Sequence, residues 1–140
     1  MPTDTTGWKK QKKEARENIK EATNKMINII SSSRFKINRK FIKKKAIDLL
    51  LQKGISDNNE INIVFIGKIK MKELVIKYKN ENEALPVITF TYNEQQGDKK
   101  ILGEIIICYP LCVLLAAERN KRVDDMILNL FDHGVKNLLQ

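Results

Sequence analysis

The stretch PVITFTYNEQQGDKKILGEIIICYP, residues 86–110, decides the fold. Val87, Thr89 and Thr91 alternate with Ile88, Phe90 and Tyr92, the period of a β-strand. Residues 93–100 are polar and contain Gly97-Asp98, a turn signal. Ile101 to Cys108 is a second strand, rich in β-branched residues. So short a connection between two strands predicts an antiparallel hairpin. Pro110 suits the first turn of a helix. Leu111 to Ala117 is apolar all round, which predicts a central, buried helix.

Upstream, Ile61 to Ile66 reads as a strand buried on much of both faces, ended by Gly67. Met71, Leu74, Val75 and Tyr78 then follow helical spacing, and residues 80–85 form a polar loop. Further back, Asn38 is a good N-cap and Gly54 a good stop for a helix whose core face is Ile42, Ala46, Leu49 and Leu50. Lys40 and Lys44 lie on its opposite side. Met26 to Ile30 is a short apolar run, an expected edge strand. Downstream of the hairpin, Asp124 is the expected cap of a last helix with Val123, Ile127, Leu130, Phe131 and Leu138 on its core face. The order is strand, helix, strand, helix, strand, strand, helix, helix. That is an α+β fold, a mixed sheet of about four strands packed with about four to five helices. Residues 26–140 form the domain. Residues 1–25, polar and basic, form an N-terminal extension, helical or disordered.

With 140 residues and 42% hydrophobic content, the chain can bury a sizeable core and is not a disordered protein. Its longest apolar stretch, Ile105 to Ala117, is too short to cross a bilayer and is interrupted by Pro110. No apolar leader opens the chain. A cytoplasmic protein without a membrane partner is expected. Cys108 and Cys112 fit neither a zinc knuckle nor a redox pair, and read as buried, reduced thiols.

The net charge of +9 is lopsided: residues 1–58 hold 15 Lys and Arg against 6 Asp and Glu, and the remaining 82 residues are neutral with 11 of each. Such a field attracts polyanions, nucleic acid first among them. Lys40, Lys43, Lys44 and Lys79 are the candidate RNA-binding residues.

His133 is the only histidine in the chain. Asn137 follows it at helical spacing i, i+4, which places two side chains one above the other and lets two good donors grip one ion. Zinc prefers imidazole, thiolate or carboxylate, so Asn137 is a weak second ligand. Asp132 points elsewhere around the helix. One histidine without a local partner motif gives no nucleophile triad. Isolated glycines give no phosphate loop.

In order and near-spacing, Ile61-Asn62-Ile63-Val64-Phe65-Ile66, Met71-Lys72-Glu73-Leu74, Tyr78-Lys79, Val87-Ile88-Thr89-Phe90, Leu102-Gly103-Glu104-Ile105-Ile106-Ile107 and His133-Gly134 resemble the blocks of the YbeY family. The resemblance covers Met26 to Gln140. These are bacterial rRNA maturation factors, regarded as metal-dependent single-strand endoribonucleases. The resemblance therefore implies the YbeY fold, hydrolysis of single-stranded rRNA, rRNA or a ribosomal subunit as partner, and no action on DNA. The family's motif is His-Gly-x-x-His-x-x-Gly-x-Asp-His, whose histidines hold a metal usually taken to be zinc. By position, the first histidine is His133, the second falls on Asn137, the glycine falls on Gln140, and the rest lies beyond. Lys79 stands where the family has an arginine thought to act in cleavage, which makes it the candidate catalytic residue. Lysine keeps the charge but loses the planar fork that grips phosphate twice. The family's Thr-Asp-Val-Leu-Ser-Phe reads here as Leu85 to Phe90, and its Gly-Asp as Gly103-Glu104.

With this motif incomplete, zinc affinity and activity should be reduced. Either the site has decayed, or the metal is recruited differently, with Asp132 or a partner chain helping. A non-catalytic RNA- or ribosome-binding module is the alternative function. A peptidase is disfavoured by the missing His-Glu-x-x-His.

Overall fold

The computed structural model describes residues 10–17 and 24–140. Its elements run β1 (Ile27–Ile30), α1 (Arg39–Gln52), β2 (Asn59–Ile66), α2 (Lys68–Lys79), β3 (Val87–Gln96), β4 (Lys99–Cys108), α3 (Tyr109–Glu118) and α4 (Val123–Leu138). This is the order expected from the sequence. Residues 10–17 are helical and exposed, and the rest of the expected extension up to residue 23 lies outside the described residues.

The four strands form one sheet in the order β1-β2-β4-β3. β1 and β4 both run parallel to β2, while β3 runs antiparallel to β4. β2 and β4 are therefore interior strands. Helices cover both faces, which is why their sequences are apolar almost throughout. On one face Ile61, Ile63, Phe65, Ile105 and Ile107 pack with Ile42, Ala46 and Leu50 of α1 and with Met126, Ile127, Phe131 and Val135 of α4. On the other face Ile66, Ile88, Ile106 and Cys108 pack with Met71 and Val75 of α2. The chain puts α1 and α4 on one side and α2 on the other, and leaves β3 as a free edge.

Local signals set the element ends. The Asn38 side chain accepts a hydrogen bond from the Phe41 amide at 3.2 Å and starts α1. Arg39 donates to the Ile29 and Ser31 carbonyls at 2.8 and 2.9 Å, satisfying backbone acceptors of the edge strand β1 and the residue after it. The hairpin turn is only Gly97-Asp98, with Gly97 at φ +61°. Both strands run further into the polar segment than alternation indicated, because ladder pairing of Gln96 with Lys99 needs no apolar side chains.

Two expectations are corrected. The helix after Pro110 is not buried all round: Cys112 and Ala116 are buried, but Val113 and Leu114 are 38% and 50% exposed. It docks through Cys112 and Ala116, one turn apart, with Leu111 and Leu115 partly buried beside them and Val113 and Leu114 turned outward. Asp124 does not cap α4. Arg122 occupies the N-cap with no side-chain capping hydrogen bond, and Asp124 and Asp125 lie in the first turn. There they favour the helix by charge against its N-terminal dipole.

Candidate active site

Lys79 is the last residue of α2. Asn80 takes a left-handed conformation, φ +58°, which stops the helix. Lys77 and Lys79 in that last turn complement the C-terminal dipole. The chain then runs through residues 81–86 into edge strand β3.

α4 lies over β3 and β4 with an unusually close seat. A Cβ on Gly134 would fall 2.7 Å from the Cγ2 of Ile105, a fully buried residue, so only glycine lets the helix sit this low. The Thr89 hydroxyl lies 3.5 Å from the Gly134 carbonyl, at the outer limit for donating a hydrogen bond. One turn on, Leu138 rests against Gly103 of β4. The buried stripe of α4 includes Leu130, Phe131, Gly134, Val135 and Leu138, which leaves His133 and Asn137 exposed beside β3.

These pieces enclose a cavity of about 480 Å³ lined by Lys79, residues 85–89, Thr91, His133 and Asn137. The imidazole is exposed at a cleft, not buried among aliphatic side chains. The structure thus brings Lys79, His133 and Asn137 together from two helices that are far apart in sequence. It does not bring Lys40, Lys43 and Lys44 to them. Those lie on α1, which packs on β1 at the opposite edge of the sheet, and they line separate surface hollows. Thr89 and Thr91 are cleft residues that sequence reasoning missed. Their alternation was legible, but nothing local says which face of the strand meets α4. A larger cavity, about 830 Å³, lies at the ends of β1 and β2 beside Arg34, Gly67 and Lys68, and contains none of the candidate catalytic, metal or RNA-binding residues.

Asp132 is committed elsewhere. Its carboxylate is 3.1 Å from Lys53 and 3.4 Å from Lys136, and it does not line the cleft. Partial burial pushes its pKa up, but the hydrogen bonds and charges of Lys53 and Lys136 outweigh that and hold it below the ordinary 3.8. A carboxylate already neutralised by two lysines is a poor recruit for a metal. The linkage sign follows from the lowered pKa. The group stabilises the fold above its unfolded pKa, and that contribution disappears as pH falls through the folded value. Asp132→Asn should therefore lose stability at pH 7 and lose less than the parent between pH 5 and 3, measured by urea unfolding. Parallel pH profiles for the two proteins would refute the pairing.

Cys108 and Cys112 are buried and free, as expected. Burial, then the neighbouring Cys108, pushes the Cys112 thiol up to about 12, so it stays protonated at neutral pH. Among the described residues, no three of His, Cys, Asp and Glu converge on one point. The cleft's own donors are one imidazole and one carboxamide. They do not fit a zinc site, which needs three good protein ligands.

The profile of the endoribonuclease YbeY family matches residues 26–139. An endoribonuclease YbeY of Dehalococcoides mccartyi is 33% identical over 129 residues, covering 81% of this chain and 75% of its own length. That of a second strain is 31% identical, covering 81% and 78%. The solution structure of TM1509 from Thermotoga maritima is similar in fold, with a TM-score of 0.57 at 23% identity over 82% of this chain and 73% of that one.

Proposed function

Since the chain belongs to the endoribonuclease YbeY family, we propose that it cleaves single-stranded ribosomal RNA in the cleft between β3 and α4. The observation that carries this reading is the meeting of Lys79, at the end of α2, with His133 and Asn137 of α4 around one open cavity. In this reading Lys79 binds the phosphate to be cut and offsets its charge. His133 places the cleft's one imidazole, a donor and acceptor of hydrogen bonds, beside that phosphate. Thr89 and Thr91 offer hydroxyls to the sugar-phosphate backbone. Lys40, Lys43 and Lys44 hold more distant stretches of the same polyanion, rRNA within a ribosomal subunit, by charge alone. The compartment in which rRNA matures, the cytoplasm, is where we place the protein, and no described helix is long and apolar enough to cross a membrane.

The metal dependence that the family implies finds no complete donor set in this cleft, because Asn137 stands where a second imidazole would be needed. Slow turnover is therefore expected. The test is cleavage of an end-labelled single-stranded RNA by the protein and by its His133→Ala and Lys79→Ala variants. His133→Ala should abolish cleavage. Lys79→Ala should lower it by roughly 10- to 100-fold, the ~1.5–3 kcal/mol of a hydrogen bond to a charged group. RNA affinity should fall steeply with salt. Equal cleavage by the parent and His133→Ala would show that the activity lies elsewhere.

A further inference from the structure

The α2 side of β3 carries Ile88, Phe90 and Tyr92. Ile88 and Phe90 belong to the core under α2. Tyr92 does not: it is 44% exposed, and its hydroxyl donates to Glu104 at 2.8 Å. From α2, Tyr78 meets the Phe90 ring edge-on at 4.9 Å between centroids, yet remains 55% exposed. Lys77 lies over the Tyr78 ring at 5.3 Å. The residue after Tyr78 is Lys79, which lines the cleft. Two tyrosines thus stand on one side of the sheet, Tyr78 held by Phe90 and Lys77 and Tyr92 by Glu104, each still partly open to solvent. Lys77 and Lys79 flank Tyr78, the carboxylates of Glu104 and Glu94 lie near Tyr92, and the free edge of β3 separates both rings from His133.

Nothing in the fold needs these rings exposed. A tyrosine that only filled the second core would be covered as Phe90 is, and one that only added solubility would not be held by Phe90 or Glu104. Two neighbouring aromatic rings, with the ammonium groups of Lys77 and Lys79 beside Tyr78, are complementary to one chemical class, unpaired nucleobases joined by phosphates. A base pair inside a duplex hides the face that would stack.

We propose that Tyr78 and Tyr92, braced by Phe90 and Glu104, form a stacking platform for unpaired RNA bases next to the phosphate bound at Lys79. The strand crosses the β3 edge, with its bases on the tyrosine side and the phosphate to be cut on the His133 side. The platform restricts the substrate to single-stranded RNA, since only splayed bases reach both rings. This inference rests on the function proposed above and adds the means by which a single strand is chosen.

The test uses the full chain and two oligoribonucleotides of equal length and charge, one with all its bases and one with abasic positions at its centre, each followed by fluorescence anisotropy. Tyr78→Leu and Tyr92→Leu should each weaken binding of the base-bearing strand about tenfold, the scale of one lost base stack. Tyr78→Phe, which keeps the ring and its contact with Phe90, should stay within about twofold on the same scale. The abasic strand should bind the parent and the Leu variants equally, while Lys79→Ala should weaken both strands. Unfolding curves for the Leu variants control for folding. Leu variants that bind the base-bearing strand as tightly as the parent does, while Lys79→Ala still weakens it, would overturn the platform and leave the nuclease reading intact. The same outcome would be expected if the tyrosines served a protein partner. A parent protein that binds neither strand would overturn the nuclease reading and the platform together.

Discussion

Gly103→Ala should destabilise the protein by about 3 kcal/mol or more, the upper end of what overpacking costs. Gly103 sits where the ladders on both sides of β4 slip. Opposite β2, Leu102 is an extra residue between the Glu60–Ile101 and Ile61–Gly103 pairs, and opposite β3 the register shifts between Thr91 and Glu94. A bulge of this kind sharpens the local twist and often needs glycine. Here the reason is steric. A Cβ would lie 2.1 Å from the Phe90 carbonyl oxygen and 2.8 Å from the Leu138 Cδ2. Leu138 could move, but the carbonyl belongs to the neighbouring strand and can yield only by breaking the ladder. Gly134→Ala probes the same seat from the helix side. It returns ~1 kcal/mol of helix propensity, which offsets part of the clash with Ile105 and makes it the milder change. Urea unfolding of both variants measures the difference. A Gly103→Ala protein within ~1 kcal/mol of the parent would mean that β3 and α4 can separate without cost, and the cleft would lose its rigid wall.

The hairpin and the element order were legible because each rests on local signals: alternation along Val87 to Tyr92, Gly97-Asp98 between two apolar runs, Asn38 before α1. The helix at Leu111 to Ala117 was misread for a matching reason. Where every residue is apolar, periodicity carries no information about which face is buried, and only the packing of Cys112 and Ala116 decides it. Asp124 was placed one turn too early in function, since a residue that favours a helix start can do so from the cap or from the first turn. His133 and Asn137 were legible as a pair because one turn of helix relates them. Their meeting with Lys79 was not visible in spacing. It depends on α2 lying on one face, α4 on the other, and β3 at the edge between them, and strand order is a long-range property. Summed charge likewise showed a basic N-terminal half without showing that Lys40 and Lys43 would lie across the sheet from the cleft.

Asn137→His should raise zinc affinity by at least about tenfold, each factor of ten corresponding to ~1.4 kcal/mol. The parent cleft offers one strong donor, His133, and a carboxamide that zinc takes poorly. A second imidazole four residues on stands directly above the first, so the two close on one ion without ordering any new backbone. The cost to folding should be under ~0.5 kcal/mol, because Asn137 is exposed and makes no side-chain hydrogen bond among those described. Protons compete with metal for imidazole nitrogen, so the gain should shrink in acid. Titration calorimetry with zinc at pH 7.5 and 5.5 reads both effects, and adding His133→Ala to the variant should return it to the parent's affinity. If Asn137→His binds zinc no better than the parent, the two positions do not converge on a common point, and the position of the family's second histidine is not a ligand position in this fold. If it binds better and also gains zinc-dependent cleavage of single-stranded RNA, then one side chain on α4 separates a weak site from a working one.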